Sequence, residues 1–431
     1  MERNEKKSAF EIVESYIKEN TTLILATSRN DTPRATPLVY KYRNGNFLIV
    51  SEEGKKFENL NANKRVSFAI ADKYTSFGTS KGLQGEGKAN VITAKDEIFL
   101  NLAEEYGLKK SVIEENGLQN FLKIIEIIPS DFTYMDSTLG KGFRIILSRK
   151  DSGEGFDAIY HHLEEIDEIT VERYYPEEIT KENPILFIHG AFHGSWCYHH
   201  FQKFFARLGY NTYAVNWKGH YLSKPDKMLG KRSIIDAVED CEKTAKKLFT
   251  KLPILVGHSM GALISLIFAE RNETKLAVLL DGAPYRKIFL DAGLDKIMTR
   301  EGIESNFEIS DDYRFTLSKE KAAQNFFDEN LTGKDEMERY LSLVQEESGT
   351  ILVDVFTGKI EVNKERIKCP LYILGKTFSP TKHRLNEMKA KDLGAKDCKV
   401  FENMTHDMML ERDWQRYASI ILNWIENETQ C

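Results

Sequence analysis

Cysteine is scarce and unpatterned in this chain. The five cysteines (Cys197, Cys241, Cys369, Cys398, Cys431) are odd in number and never spaced as C-x-x-C. That excludes a disulfide framework, gives no zinc-site spacing, and points to a reducing cytoplasm. Long apolar runs are missing: none approaches the ~20 residues that a membrane-spanning helix needs. The opening M-E-R-N-E-K-K leads into an amphipathic stretch carrying Glu11 and Glu14, so no secretory signal is expected. Charge of one sign is not in excess, with 60 Lys and Arg against 66 Asp and Glu and a net charge of −6. Neither nucleic acid nor an anionic membrane is therefore an expected partner. Internal repeats and low-complexity tracts are also lacking. What is present is 431 residues, 41% hydrophobic and 29% charged, the composition of an ordinary folded protein. At roughly 150 residues per domain this makes two or three domains, large enough for cores without covalent staples.

The first part of the chain reads as short strands with few helices. Ala9, Phe10, Val13, Tyr16 and Ile17 fall at helical spacing and predict an opening amphipathic helix. From Thr21 the period changes to β-rich runs at 22–27, 37–42, 46–51 and 66–71. The second and third are joined through Arg43-Asn44-Gly45, and Asn-Gly between strand-like runs predicts a hairpin. Further strand-like runs at 84–92 and up to Met135 flank a helical stretch at 94–106. Short strands so closely spaced predict a small barrel over 1–148. Residues 149–180 are charged and weakly periodic, and read as a linker with edge strands.

From about residue 181 the rhythm becomes strand–helix alternation. Apolar runs I-L-F-I-H, T-Y-A-V-N-W, P-I-L-V-G, L-A-V-L-L-D and P-L-Y-I-L-G alternate with helical segments such as Ile234–Thr250, Ala262–Arg271 and Asp413–Glu428. This predicts a mostly parallel α/β sheet with helices on both faces over 181–431. Charged helical stretches at about 285–367 interrupt the rhythm between two strands, where a lid would cover a site at the strands' C-terminal ends.

The sharpest motif is Gly257-His258-Ser259-Met260-Gly261, between an apolar strand and the helical run A-L-I-S-L-I-F-A-E. It is a G-x-S-x-G nucleophile elbow in its strand–turn–helix setting. The glycines let strand and helix approach, and the serine stands at a helix N-terminus where partial positive charge favours a developing anion. His189-Gly190-Ala191-Phe192 follows another strand, so the Ala191 and Met260 N–H groups are the candidate oxyanion donors. His406 follows the last strand-like run, where the general base belongs, and serine before histidine is the chain order of such folds. His193 and His220 read as structural hydrogen-bonders, and His258 as an elbow residue pointing elsewhere. The adjacent pairs His161-His162 and His199-His200 point in different directions, and no metal site is expected.

Residues 181 to 428 resemble an α/β-hydrolase of the esterase and methylesterase branch, which carries H-G-A-x-H-G-x-W, here His189 to Trp196. The runs T-H-D-M-M-L at 405–410 and W-x-x-x-x-x-x-I-L-x-W at 414–424 are similar to that branch as well. The resemblance implies a triad acid shortly after the strand L-Y-I-L-G, but Lys376-Thr377-Phe378-Ser379-Pro380 offers no carboxylate. The candidate replacement is Asp281, at the end of L-A-V-L-L-D; its other reading is an ordinary loop aspartate. Without an acid, His406 would lack the partner that fixes its tautomer.

Residues 8 to 146 resemble the pyridoxamine 5′-phosphate oxidase-like split barrel, through L-A-T-S-R-N-D-T-P-R-A-T-P-L-V-Y (25–40), F-L-I-V-S-E-E-G-K-K-F-E-N-L-N-A-N-K-R-V (47–66) and the Q-G-E-G-K-A strand. The resemblance implies FMN, with Val50, Ser51, Lys55 and Lys56 at the phosphate and Arg34 and Thr36 on a flavin-contacting strand. It also implies a homodimer. A glycine bend with two lysines suits a phosphate, although lysines on a turn also serve simply as solvated charge.

The expected whole is a cytoplasmic bifunctional protein: a serine hydrolase acting on a small-molecule carboxylic ester or thioester through an acyl-enzyme, fused to an FMN-binding barrel. One alternative is an FMN-dependent oxidoreductase or redox sensor with a weak or silent hydrolase half. Another is a non-enzymatic binding module.

Overall fold

The computed structural model describes residues 7–377 and 385–429. The chain divides into two compact units, Met1–His162 and Leu163–Cys431.

The first unit is built on antiparallel strands. In order of pairing they are Arg144–Arg149, Leu122–Asp136, Lys81–Ile92, Arg65–Ala71, Thr22–Arg29 and Thr32–Val39. The long strand Leu122–Asp136 makes the split. Along one edge it pairs first with Asn46–Glu52, and after Pro129 with Arg144–Arg149. Its other edge follows Lys81–Ile92 throughout, with a register shift between Glu86 and Gly87. A side chain at Gly87 would collide with the Ile128 carbonyl, so the strands come this close only because of the glycine. The predicted hairpin is present. Asn44 and Gly45 both take positive φ, 47° and 79°, and Arg43 pairs with Asn46, as a two-residue turn of this hand requires. A second such turn at Asn30-Asp31, with φ of 49° and 55°, was not read from the sequence. It starts the following strand at Thr32, ahead of the expected residue 37. Inside, the Phe68 and Phe132 rings lie 4.9 and 6.2 Å from Phe47, each buried ring contributing about 1.5–3 kcal/mol.

The second unit holds the predicted α/β sheet. Its order is Ile169–Pro176, Thr212–Asn216, Ile185–Ile188, Ile254–His258, Leu276–Leu280, Leu371–Lys376 and Asp397–Phe401. All these neighbours run parallel except the first pair. The strands are apolar on both faces because both faces are covered. Ile185 and Phe187 join a core with Phe201, Phe205 and Ile421, while Leu186 and Ile188 face Val238, Leu263 and Ile267. That period of two assigns helices His199–Arg207 and Trp414–Thr429 to one face, and Ile234–Leu248 and Met260–Arg271 to the other. Between Leu280 and Leu371 the chain inserts short helices and a small antiparallel sheet, Glu308–Ile309, Arg314–Thr316 and Glu347–Ser348.

Candidate active site

Ser259 sits between strand Ile254–His258 and helix Met260–Arg271 with φ 52° and ψ −116°, a strained conformation for a residue with a side chain. The surroundings hold it there: its N–H donates to the Leu280 carbonyl at 2.9 Å, and its carbonyl accepts from Ala283 at 3.0 Å. Glycines allow the turn. A Cβ on Gly261 would collide with the Ile188 and His189 carbonyls, and one on Gly190 would stand 2.9 Å from the Ser259 Cβ. Met260 opens the helix, so its N–H is among the donors that every helix start leaves without an intrahelical partner. Ala191 lines the same cavity as Ser259.

His406 and Asp281 meet. His406 Nδ1 and Asp281 Oδ2 are 2.6 Å apart, and both residues line the cavity with Ser259. The other Asp281 oxygen accepts from the Lys376 N–H at 3.2 Å and from Asn386 Nδ2 at 3.4 Å. Burial alone would raise this carboxyl, but hydrogen bonding to His406 and the nearby charges of His406, Lys389 and Lys376 bring it down to about 2. Asp281 is thus an anion facing a histidine. Phe378, beside which the sequence shows no carboxylate, lies outside the described residues.

Further groups surround this pair, of which Glu347 and Gln345 were not singled out from the sequence. His258 does not point away. It lines the cavity, its Nε2–H donates to the His406 carbonyl at 2.9 Å, and burial keeps it neutral by bringing it down to about 3. His193 lies between the Ala191 carbonyl at 2.6 Å and Asp407 Oδ2 at 2.7 Å. Burial disfavours its protonated form, yet the Asp407 carboxylate outweighs that and raises it. From the insertion, fully buried Glu347 accepts from the Phe192 N–H and from His220 Nε2, both at 3.1 Å. Gln345 accepts from the Tyr221 N–H at 2.8 Å and donates to the His193 carbonyl at 2.6 Å. The loop carrying Ala191 is therefore tied to the insertion on both sides of Phe192, which itself has φ 67°. The cavity, roughly 320 Å³, is largely apolar elsewhere, with Phe289, Met298, Phe307, Phe326 and Phe356 among its walls and Asn325, Lys376, Asn386 and Lys389 as its further polar groups.

In the first unit, Arg34 is exposed on strand Thr32–Val39, and Thr36 is half-buried two residues on. The Thr36 hydroxyl oxygen is buried with no hydrogen-bond partner among the described residues. Val50 and Ser51 are half-buried on strand Asn46–Glu52. Gly54 then precedes helix Lys55–Ala62, whose start has no side-chain cap. Lys55 is exposed, whereas Lys56 is 8% exposed and donates from Nζ to the Glu52 carbonyl at 2.9 Å. Burial lowers the Lys56 ammonium, and the Arg34 guanidinium lowers it further. Arg34 within electrostatic range of Lys56 and a helix start without a side-chain cap fit a phosphate.

Among the described residues, no group of three or more His, Cys, Asp or Glu is placed to hold a metal ion.

Residues 185–420, more than half of the chain, match the family model for the alpha/beta hydrolase family. Residues 11–130 match that for pyridoxamine 5′-phosphate oxidase. Methylesterase 2 of Arabidopsis thaliana is 27% identical over 140 residues, covering 29% of this chain and 50% of that protein. Methylesterase 3 of the same plant is 31% identical over 110 residues, covering 24% and 39%. The chain thus spans half or less of the curated relatives it matches. Among solved structures, a lipase-esterase related protein from Clostridium acetobutylicum is 19% identical with a TM-score of 0.45, covering 57% of this chain and 96% of its own. Polyneuridine aldehyde esterase is 14% identical with a TM-score of 0.47, covering 56% and 99%.

Proposed function

We propose, from the premise that the chain belongs to the alpha/beta hydrolase family, that its second unit hydrolyses small-molecule carboxylic esters or thioesters through an acyl-enzyme. Ser259 Oγ attacks the acyl carbonyl while His406 takes its proton and later delivers it to the leaving group. Asp281 fixes the His406 tautomer and stabilises the imidazolium. The Ala191 and Met260 N–H groups receive the oxyanion. Water deprotonated by His406 then clears the acyl group. The observation that carries this reading is the 2.6 Å contact of Asp281 with His406 in the cavity that Ser259 lines. In this reading residues 181–431 are the hydrolase domain, residues 149–180 the linker and edge strands, and the segment at about 285–367 the lid. The lid's aromatic walls favour an apolar acyl or alcohol group. An oxidoreductase with a silent hydrolase half has less support, because its premise was the lack of an acid.

Residues 1–148 form, in this reading, an FMN-binding barrel. Lys55, Lys56 and Arg34 hold the phosphate, the Thr36 hydroxyl donates to the ligand, and Val50 and Ser51 supply backbone contacts. Bound there, a flavin would supply electron or hydride transfer. Tyr74, Phe77 and Val39 on this unit are exposed large apolar side chains, a surface that a second copy would cover, which supports a homodimer. Free cysteines at 197, 241, 369 and 398 support a cytoplasmic setting. Among the described residues no helix is long and apolar enough to cross a membrane.

Intact mass after incubation with a fluorophosphonate tests the hydrolase reading. One adduct is expected on the wild type and none on Ser259→Ala. An unlabelled wild type that also fails to turn over p-nitrophenyl acetate would overturn it.

A further inference from the structure

The strand Leu371–Lys376 ends without a carboxylate, yet the helix that follows it is not idle around the acid. Helix Leu385–Leu393 carries Asn386 and Lys389, three residues apart and so on one face. Both line the cavity, and they are 5% and 2% exposed. Asn386 Nδ2 donates to Asp281 Oδ1 at 3.4 Å and to the Lys376 carbonyl at 3.3 Å. Lys389 Nζ donates to the carbonyl of Gly282, the residue after the acid. Lys389 Nζ and the Ser259 carbonyl both lie within 4 Å of the point where a Cβ on Gly282 would stand.

An ammonium this deeply buried is rare without a partner charge. Asp407 faces His406 from its own loop. Four titratable groups surround Asp281 and Lys389: His406 on its loop, His258 at the elbow, Lys376 at the strand end, and Cys398 on strand Asp397–Phe401. Asp281 is the anion among them. It also needs holding, because its φ of 40° is a left-handed conformation on a residue with a side chain.

We propose that Asn386 and Lys389 are positioning residues for the hydrolysis: they clamp the Asp281-Gly282 turn so that the acid, supplied by strand Leu276–Leu280, faces His406. The proposal rests on the reading of Asp281 as the triad acid. Lys389 contributes in two ways, through the Gly282 carbonyl, which fixes the turn, and through its charge, which opposes a second positive charge on His406. Burial lowers the Lys389 ammonium to about 8 against the pull of Asp281, so the charge is largely present over the acid limb of the rate profile.

The test is the pH dependence of kcat/KM for a p-nitrophenyl ester, compared across wild type, Lys389→Met, Lys389→Arg, Asn386→Ala and Asp281→Asn. In Lys389→Met the charge opposing the imidazolium is gone, so the acid limb should move up by about one pH unit, and kcat should fall about tenfold. Lys389→Arg, which keeps the charge, should return the limb to its wild-type position. Asn386→Ala should lower kcat about tenfold with the limb unmoved, since it removes a hydrogen bond and no charge. A purely structural lysine would change melting temperature and leave the limb in place. Should Lys389→Met fail to fold, Lys389→Arg and Asn386→Ala decide. A wild-type kcat in Asn386→Ala together with a shifted limb in Lys389→Arg would overturn the clamp. Asp281→Asn separates the two claims. If it keeps the wild-type rate, the acid reading fails. If it is nearly inactive while Lys389→Met and Asn386→Ala leave rate and limb unchanged, the clamp alone fails.

Discussion

The surroundings of Ser259 and the turn at Ser51–Lys56 differ in how far their charged groups are paired. Around Ser259, Asp281 accepts from His406, Lys376 and Asn386, and Glu347 accepts from Phe192 and His220. The His258 Nε2–H reaches the His406 carbonyl. At the barrel turn, Lys55 is exposed and the helix start has no side-chain cap; on strand Thr32–Val39, Arg34 is exposed and the Thr36 hydroxyl oxygen is buried with no hydrogen-bond partner among the described residues. The first arrangement is preorganised: its dipoles are fixed before a substrate arrives, so little reorganisation remains for the reaction step. The second presents exposed positive charge beside a helix start with no side-chain cap. In the proposed reading the first is a reaction centre and the second a receptor for an anion.

The largest effect should come from breaking the preorganised side of this contrast. Asp281→Asn leaves the shape of the acid but removes the anion that His406 faces. By the behaviour of serine triads in general, ester turnover should drop about a thousandfold or more, as measured by initial rates with p-nitrophenyl acetate. An unchanged rate would reduce the network to a structural one, and the contrast between the two regions would disappear.

Glu347 gives the next effect in size. Replacing it with Ala leaves the Phe192 N–H without its acceptor and loosens the loop that carries Ala191. Losing an oxyanion donor outright costs about 10²–10³ in kcat; loosening one should cost roughly tenfold, with KM within about threefold. A raised KM at constant kcat would instead show that the insertion shapes the substrate pocket and leaves the oxyanion donors alone.

The elements that were legible in the sequence are those specified locally. Strand alternation around Ile185–Ile188 and Ile254–His258, the elbow at Ser259 and the hairpin at Asn44-Gly45 each follow from neighbouring residues. The turn at Asn30-Asp31 escaped because neither residue is glycine, and the tolerance of Asn and Asp for positive φ is a weaker signal than Asn-Gly. The partnership of Asp281 with His406 bridges 125 positions of sequence, and its place at the end of a strand made Asp281 a candidate, though an ordinary loop aspartate reads the same locally. That of Glu347 with Phe192 bridges 155 and depends on how strands and insertion stack, with no local pattern to announce it. Lys389 is the sharpest case. On helix Leu385–Leu393 it reads as one more charged residue, and only packing against Gly282 and Asp281 gives it a role.

The receptor side of the contrast should respond more weakly and in a different observable. Replacing Lys55 and Lys56 together with Ala should weaken FMN binding by about ten- to a hundredfold, since charge-assisted contacts to phosphate are the strong ones in such a cradle. Flavin fluorescence titration measures this directly, and equal affinity in the double variant would remove the lysines from the site.

Thr36 gives the smallest effect and the most discriminating one, because two readouts should move in opposite directions. A buried hydroxyl without a partner costs about 1–3 kcal/mol relative to one that is satisfied. Thr36→Val keeps the shape and removes the polar atom, so the flavin-free protein should become more stable by roughly 1 kcal/mol, seen as a melting temperature a few degrees higher. If the hydroxyl waits for the ligand, the same substitution should weaken FMN binding by about three- to tenfold, the value of one hydrogen bond. A variant that is more stable and binds FMN as tightly as the wild type would mark Thr36 as a packing residue. One that is less stable without flavin would mean that the hydroxyl already has a partner in solution, and the barrel turn would then resemble the surroundings of Ser259 more than the contrast allows.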